Sequence, residues 1–146
     1  MTQHRPIVVV GVDGSTESVD ALTWALDYAD SSGAIVRAVL AWQYPTSYGY
    51  VPDSGYDDME TESEALLRRT VEKATAERPG AYVEELVVDN QLPGVALCDM
   101  SRTADMLVVG RGSGGLRRVL LGSVSTYCVH HAECPVVIIR HRDERS

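Results

Sequence analysis

Hydrophobic positions gather into short β-branched runs separated by segments with helical spacing. "PIVVVGV" (6–12), "AIVRAVLAW" (34–42), "DMLVVG" (105–110) and "PVVIIR" (135–140) are apolar nearly throughout. That pattern suits strands covered on both faces, as in a parallel sheet. A fifth run, "AYVEELVV" (81–88), alternates more and carries the weaker strand signal.

Between the first two runs Val19, Leu22, Ala25, Leu26 and Ala29 recur at helical spacing, with Ser15 placed to cap the start and Gly33 to end it. A second helix fits 62–77, closed by Pro79 and Gly80, with Leu66, Leu67, Val71 and Ala74 as its inner stripe. A third, over 93–104, is entered through Pro93. The fourth is expected to start at Gly122 or Ser123 and run to about Ala132, before Pro135 admits the last strand.

Strand and helix thus alternate from end to end. The order predicts an α/β fold, a single open, five-stranded parallel sheet with helices on both faces. Its ligand crevice lies beyond the carboxyl ends of the strands, where Asp13, Trp42 and Gly110 fall. Residues 43–63 break the alternation. They hold four of the seven tyrosines and several acids, and their place after the second strand suits a lid or partner surface at the crevice rim, with a plain solvated loop as the alternative.

Composition narrows the function. A chain of 146 residues, 45% hydrophobic and 23% charged, matches one compact domain spanning 1–146. A net charge of -8 argues against a duplex nucleic acid partner, which is bound through clustered cations. Only one of the 13 basic residues is a lysine, Lys73; Arg117 and Arg118 form the densest basic spot near a motif, either beside one anionic ligand or simply solvated. The first apolar run is too short for a signal-peptide core or a membrane helix, and no later run reaches spanning length. Cys98, Cys128 and Cys134 are an odd set with no export signal, which predicts free thiols and a cytoplasmic protein.

The stretch "GRGSGGLRRVLLGSVS" (110–125) offers two anion motifs. Gly110, Gly112 and Gly115 spell a dinucleotide fingerprint, but no helix opens directly after it and only one strand follows, so that reading fails. The alternative makes Gly122 and Ser123 the start of the last helix, where unpaired amides and the helix dipole face an anion. Hydroxyls of Ser123 and Ser125 would add donors, and bare backbone at Gly110, Gly112 and Gly122 would admit phosphate oxygens closely. An ordinary capped helix after a glycine turn fits the same residues. Asp13, at the end of the first strand, suits paired sugar hydroxyls or a helix N-cap.

"VVGVDGS" (9–15), "ADMLVVG" (104–110), "GGLRRVLLGSVS" (114–125) and "CVHHAECPVVIIR" (128–140) resemble the universal stress protein family over nearly the whole chain. The spacing G-x2-G-x9-G-[S/T] marks its ATP-binding branch. Nine residues separate Gly112 from Gly122 and Ser123 as in that pattern, while one residue, Arg111, stands between Gly110 and Gly112 where the pattern has two. The resemblance implies a Rossmann-like fold of the adenine nucleotide alpha hydrolase-like type. It places Asp13 at the ribose hydroxyls with Gly11 and Val12 beside the nucleoside, the backbone of Ala41 against adenine, and Val109 and Gly110 flanking the nucleotide. Gly112, Gly122, Ser123, Val124 and Ser125 would hold the phosphates of ATP, ADP or AMP, with Mg as the accompanying ion. It further implies a homodimer formed through the last strand, here Val136 to Arg140, which reads as an edge.

Chemistry beyond binding is poorly supplied. No G-x4-G-K-[S/T] loop exists and Lys73 lies in the second helix, so a stress-response sensor or regulator is expected, with slow ATP hydrolysis as the most an enzyme reading offers. A stress domain that binds no nucleotide and acts as a protein interaction module is the alternative. Cys128, His130, His131 and Cys134 could supply zinc ligands in number. Residues two apart on a helix point in different directions, so core packing for the cysteines and dipole contacts for the histidines are expected instead.

Overall fold

The computed structural model describes residues 4–43, 55–112 and 121–140. Most of the tyrosine-rich stretch, together with Gly115, Arg117 and Arg118, lies outside the described residues. Element order is β1 (Ile7–Gly11), α1 (Thr16–Ser32), β2 (Ile35–Trp42), α2 (Gly55–Thr75), β3 (Val83–Asp89), α3 (Pro93–Ser101), β4 (Met106–Gly110), α4 (Ser123–His131) and β5 (Val136–Ile139). All pairings are parallel, in the order β3-β2-β1-β4-β5.

Side chains alternate across each strand and feed two cores. Val8, Val10, Val36, Ala38 and Val108 meet Leu22, Leu26, Leu67 and Val71 on the face covered by α1 and α2. Val9, Val39, Leu107 and Val109 meet Leu97, Cys98 and Cys128 on the face covered by α3 and α4. The interior strands are therefore apolar on both sides, save for Arg37 of β2. β3 and β5 are the sheet edges, which explains the polar alternation of β3, where Glu84 pairs with Arg37 of β2 at 2.8 Å.

Local signals set the helix ends. The Ser15 hydroxyl accepts from the Ser18 amide at 3.2 Å, and Gly33 closes α1 in the left-handed region, φ 73°, donating to the Ala29 carbonyl. α2 departs from expectation. It begins at Gly55 rather than near Glu62, so 55–63 belongs to the helix. Asp58 and Glu60 are acids near a helix N-terminus, which the dipole favours, and Met59 packs on the core.

Candidate functional site

The chain leaves β1 on one side to build β2 and β3, then returns on the other side as β4. This reversal opens a crevice above the carboxyl ends of β1 and β4. A cleft of about 280 Å³ occupies it. Gly11, Val12 and Asp13 enter from the end of β1, Ala41 from β2, and Val109, Gly110 and Gly112 from the end of β4. Gly122, Ser123, Val124 and Ser125 form the opposite wall at the start of α4. The structure thus brings all eleven sequence-predicted residues to one cavity.

Asp13 does not cap α1, because Ser15 does. Its Oδ1 instead accepts from the Ser15 amide at 2.9 Å and the Ser18 hydroxyl at 2.6 Å, while the Asp13 amide donates to the Ser18 oxygen at 2.9 Å. Ser18 is buried and serves as the hub that orients the carboxylate. Partial burial of the carboxylate pushes its pKa up, but the bonds from Ser15 and Ser18 outweigh it and hold Asp13 below the ordinary value of 3.8. Asp13 is therefore ionised at neutral pH. Among the described residues no hydrogen bond engages its Oδ2.

The start of α4 has the complementary character. Its N-cap, Gly122, supplies no side chain, its first turn holds no acid, and the amides of Ser123, Val124 and Ser125 meet no acceptor among the described residues. Free amides and an uncompensated dipole make this end of the cleft positive. The turn before it is tightly held. The Arg111 carbonyl accepts from the Gly122 amide at 2.8 Å and from the Ser125 hydroxyl at 2.9 Å.

One sequence expectation changes here, and the glycines gain a second reason. The Ser125 hydroxyl is buried and spent on the Arg111 and Gly122 carbonyls, so Ser125 can offer a ligand only its amide. The glycines are required first by the protein itself. A Cβ on Gly112 would lie 2.9 Å from Gly122 Cα, one on Gly122 3.1 Å from Gly112 Cα, and one on Gly110 2.9 Å from Glu17 Cβ. Gly112 also sits at φ 91°, a conformation that side chains resist.

Ala41 is placed by strand geometry. The Val39 carbonyl points toward β1 and accepts from the Val12 amide at 2.8 Å, whereas the Trp42 carbonyl points away and accepts from the Gln91 amide at 3.1 Å. Peptide groups of a strand alternate sides, so those of Ala41 face as Val39 does. Pairing of β1 with β2 stops at Gly11 and Val39, which leaves the Ala41 N–H and C=O turned toward the cleft.

Sequence reasoning missed Ser15, Glu17, Ser18, Val39, Pro93 and Leu97, which also line the cavity. The serine spacing D-x-S-x-x-S carried a usable signal, since an aspartate two residues before an N-cap closes on the cap amide. Leu97 carried none, because its approach to Gly11, where a Cβ would come within 2.7 Å of Leu97 Cδ1, depends on how α3 crosses the sheet.

The residues of "CVHHAEC" are dispersed. Cys128 is fully buried in the α3–α4 core, while His130 and His131 are exposed in the last turn of α4, with His131 Nδ1 3.0 Å from the Tyr127 carbonyl. Burial pushes the Cys128 thiol up to about 12 and raises Cys98 and Cys134 as well. Such thiols stay protonated at neutral pH. Among the described residues no group of three or more His, Cys, Asp or Glu side chains is placed to hold a metal ion, and no helix is long and apolar enough to cross a membrane.

Comparison with known proteins agrees with this layout. Residues 5–140 match the model of the universal stress protein family. The chain is 35% identical over 139 residues to a universal stress protein of Mycobacterium tuberculosis, covering 94% of this chain and 46% of that protein. A second M. tuberculosis member is 34% identical over 143 residues, covering 94% and 44%. The chain thus spans about half the length of these curated relatives. Among solved structures it superposes on a universal stress protein in complex with cAMP at a TM-score of 0.71, with 30% identity and coverage of 94% and 98% of the two chains. The Archaeoglobus fulgidus family member in complex with dAMP gives 0.66, with 27% identity over 93% and 98%. An Arabidopsis thaliana member with AMP bound gives 0.63, with 26% identity over 95% and 94%. A family match over nearly all of the sequence, joined to the same sheet and helices in solved members, shows that this chain belongs to the universal stress protein family.

Proposed function

We propose that the cleft binds an adenine nucleotide and that the chain acts as a nucleotide-responsive regulator of a cytoplasmic stress response. The observation that carries this reading is the pairing of opposites across one cavity: the Oδ2 of Asp13 on one wall and the amides of Ser123, Val124 and Ser125 on the other, none of them engaged among the described residues. A carboxylate oxygen suits ribose hydroxyls and free helix amides suit phosphates. The turned-out N–H and C=O of Ala41 form a donor–acceptor pair that matches the edge of adenine. Structural relatives crystallised with cAMP, dAMP and AMP support the same ligand class.

ATP, ADP and AMP all fit the reading. Asp13 and Glu17 are the carboxylates lining the cleft, so a magnesium ion would arrive on the nucleotide's phosphates with these acids nearby. No lysine lines the cleft among the described residues, and Lys73 lies in the last turn of α2, which supports a sensor over a fast phosphoryl-transfer enzyme. The chain works as one domain and pairs with a second copy through β5. That edge strand is half-buried along its whole length, and Val129 of α4 stands 51% exposed. Sedimentation of wild type and of Ile138→Lys reads the pairing, with a monomeric wild type as the contrary result.

Isothermal calorimetry with AMP and ATP, with and without magnesium, tests nucleotide binding. Ser123 is exposed at the first position of α4, so Ser123→Glu puts a carboxylate on the free amides without touching the Gly112–Gly122 contact. Affinity is expected to fall at least about ten-fold, or 1.4 kcal/mol. Unchanged affinity in that variant, or a wild type that takes up no adenine nucleotide at millimolar concentration, overturns the proposal.

A further inference from the structure

Two helix starts open into the cleft, and they differ in charge. α4 has no acid in its first turn, whereas α1 carries Glu17 there, half-buried and lining the cavity. Glu17 lies on the phosphate side. Its Cβ is the nearest atom to the space over Gly110, at 2.9 Å from where a Cβ would stand; two residues on, Gly112 packs its backbone against Gly122 and the α4 start. No ion pair or hydrogen bond engages the Glu17 carboxylate among the described residues. Asp13 supplies a second carboxylate to the same cleft, so a long anionic tail reaching past Gly110 approaches two acidic side chains as well as the α4 amides.

We propose that Glu17 is a specificity-determining residue that limits the negative charge of the phosphoryl tail, so that a nucleoside monophosphate binds metal-free while a triphosphate is held only when a divalent cation offsets its charge. This rests on the nucleotide-binding reading and deepens it. Like charges a few ångströms apart in a partly solvated cleft repel with an energy between the water and protein-surface limits. One removed carboxylate is accordingly worth about ten-fold in the affinity of a highly charged tail, or 1.4 kcal/mol.

The test is calorimetry with adenosine, AMP and ATP, in EDTA and again with magnesium, on wild type, Glu17→Gln, Glu17→Asp and Glu72→Gln. Glu72 is an exposed α2 residue outside the cleft lining, so its variant makes the same change in net charge at a distance. In EDTA, Glu17→Gln is expected to bind ATP about ten-fold more tightly than wild type, with adenosine unchanged and AMP shifted less than about three-fold. Glu17→Asp keeps the wild-type discrimination, and Glu72→Gln leaves it in place. Thermal melts of the four proteins confirm that each is folded. The proposal fails if Glu17→Gln leaves metal-free ATP affinity unaltered, or if Glu72→Gln raises it equally. In either case AMP binding still stands and only the role of Glu17 is lost; a wild type that takes up no adenine nucleotide removes both readings.

Discussion

Three glycines, Gly112 and Gly122 at the cradle and Gly80 in the turn before β3, separate backbone strain from steric contact. Gly80 has φ 84° and nothing within 4 Å of where a methyl group would stand, Gly122 has an ordinary φ of -67° but backbone 3.1 Å and 3.2 Å from that position, and Gly112 combines φ 91° with backbone at 2.9 Å. Alanine at Gly80 therefore meets left-handed strain alone, about 1 kcal/mol after the smaller entropy of the unfolded chain is counted. Alanine at Gly122 meets contact alone, with main-chain neighbours that yield poorly, about 1–2 kcal/mol. Gly112→Ala meets both and should lose about 2–4 kcal/mol. For a chain of this length each kcal/mol lowers Tm by roughly 2–4 °C, so the expected falls are about 2–4 °C, 2–8 °C and 4–16 °C. Circular-dichroism melts read stability, and titration of AMP reads the cradle. Gly112→Ala and Gly122→Ala should both weaken AMP binding, and Gly80→Ala should not. Equal Tm losses at Gly80 and Gly112 would refute the claim that the β4 turn and the α4 start are in backbone contact.

Two further outcomes follow from ionisation. Asp13 has a folded pKa below the ordinary 3.8, so its contribution to stability is complete above that value and disappears as pH falls through the folded one; in Asp13→Asn, denaturant melts should show a flatter loss of stability below about pH 4, and an identical acid limb in both proteins argues against the Ser15–Ser18 network. Burial pushes the Cys128 thiol up to about 12 from the ordinary 9.0, so the unfolded chain loses its proton first and stability should decline as pH rises from 9 toward 12, less steeply in Cys128→Ala. In the native protein at pH 8 a thiol reagent should leave Cys128 unmodified, and rapid labelling there contradicts its burial.

Much of the fold was legible because alternating order and continuous apolarity are strong signals when both sheet faces are covered. β1, β2 and β4 lie inside the sheet and read clearly, while β3 is an edge and showed the weaker pattern. The start of α2 was hidden because acids such as Asp58 and Glu60 suit a solvated loop and a helix start equally. At the site, the eleven residues named from sequence share one cavity, and the protein's own carbonyls engage the Ser125 hydroxyl. Nothing local tells that Ser125 turns its hydroxyl back onto Arg111, or that Gly110 makes room for Glu17, since both depend on where β4 sits beside α1 and α4. Ser18 escaped for the same reason: a buried serine in a helix stripe looks like filler until its carboxylate partner is seen.

The carbonyl of Arg111 gathers an amide and a hydroxyl from the α4 start while its own residue follows directly on β4. This corner of the cleft is hence shaped by the sheet itself, much as a socket is cast with its wall. A ligand seated there should register as heat tolerance of the domain, with the start of α4 hardly moving from its seat.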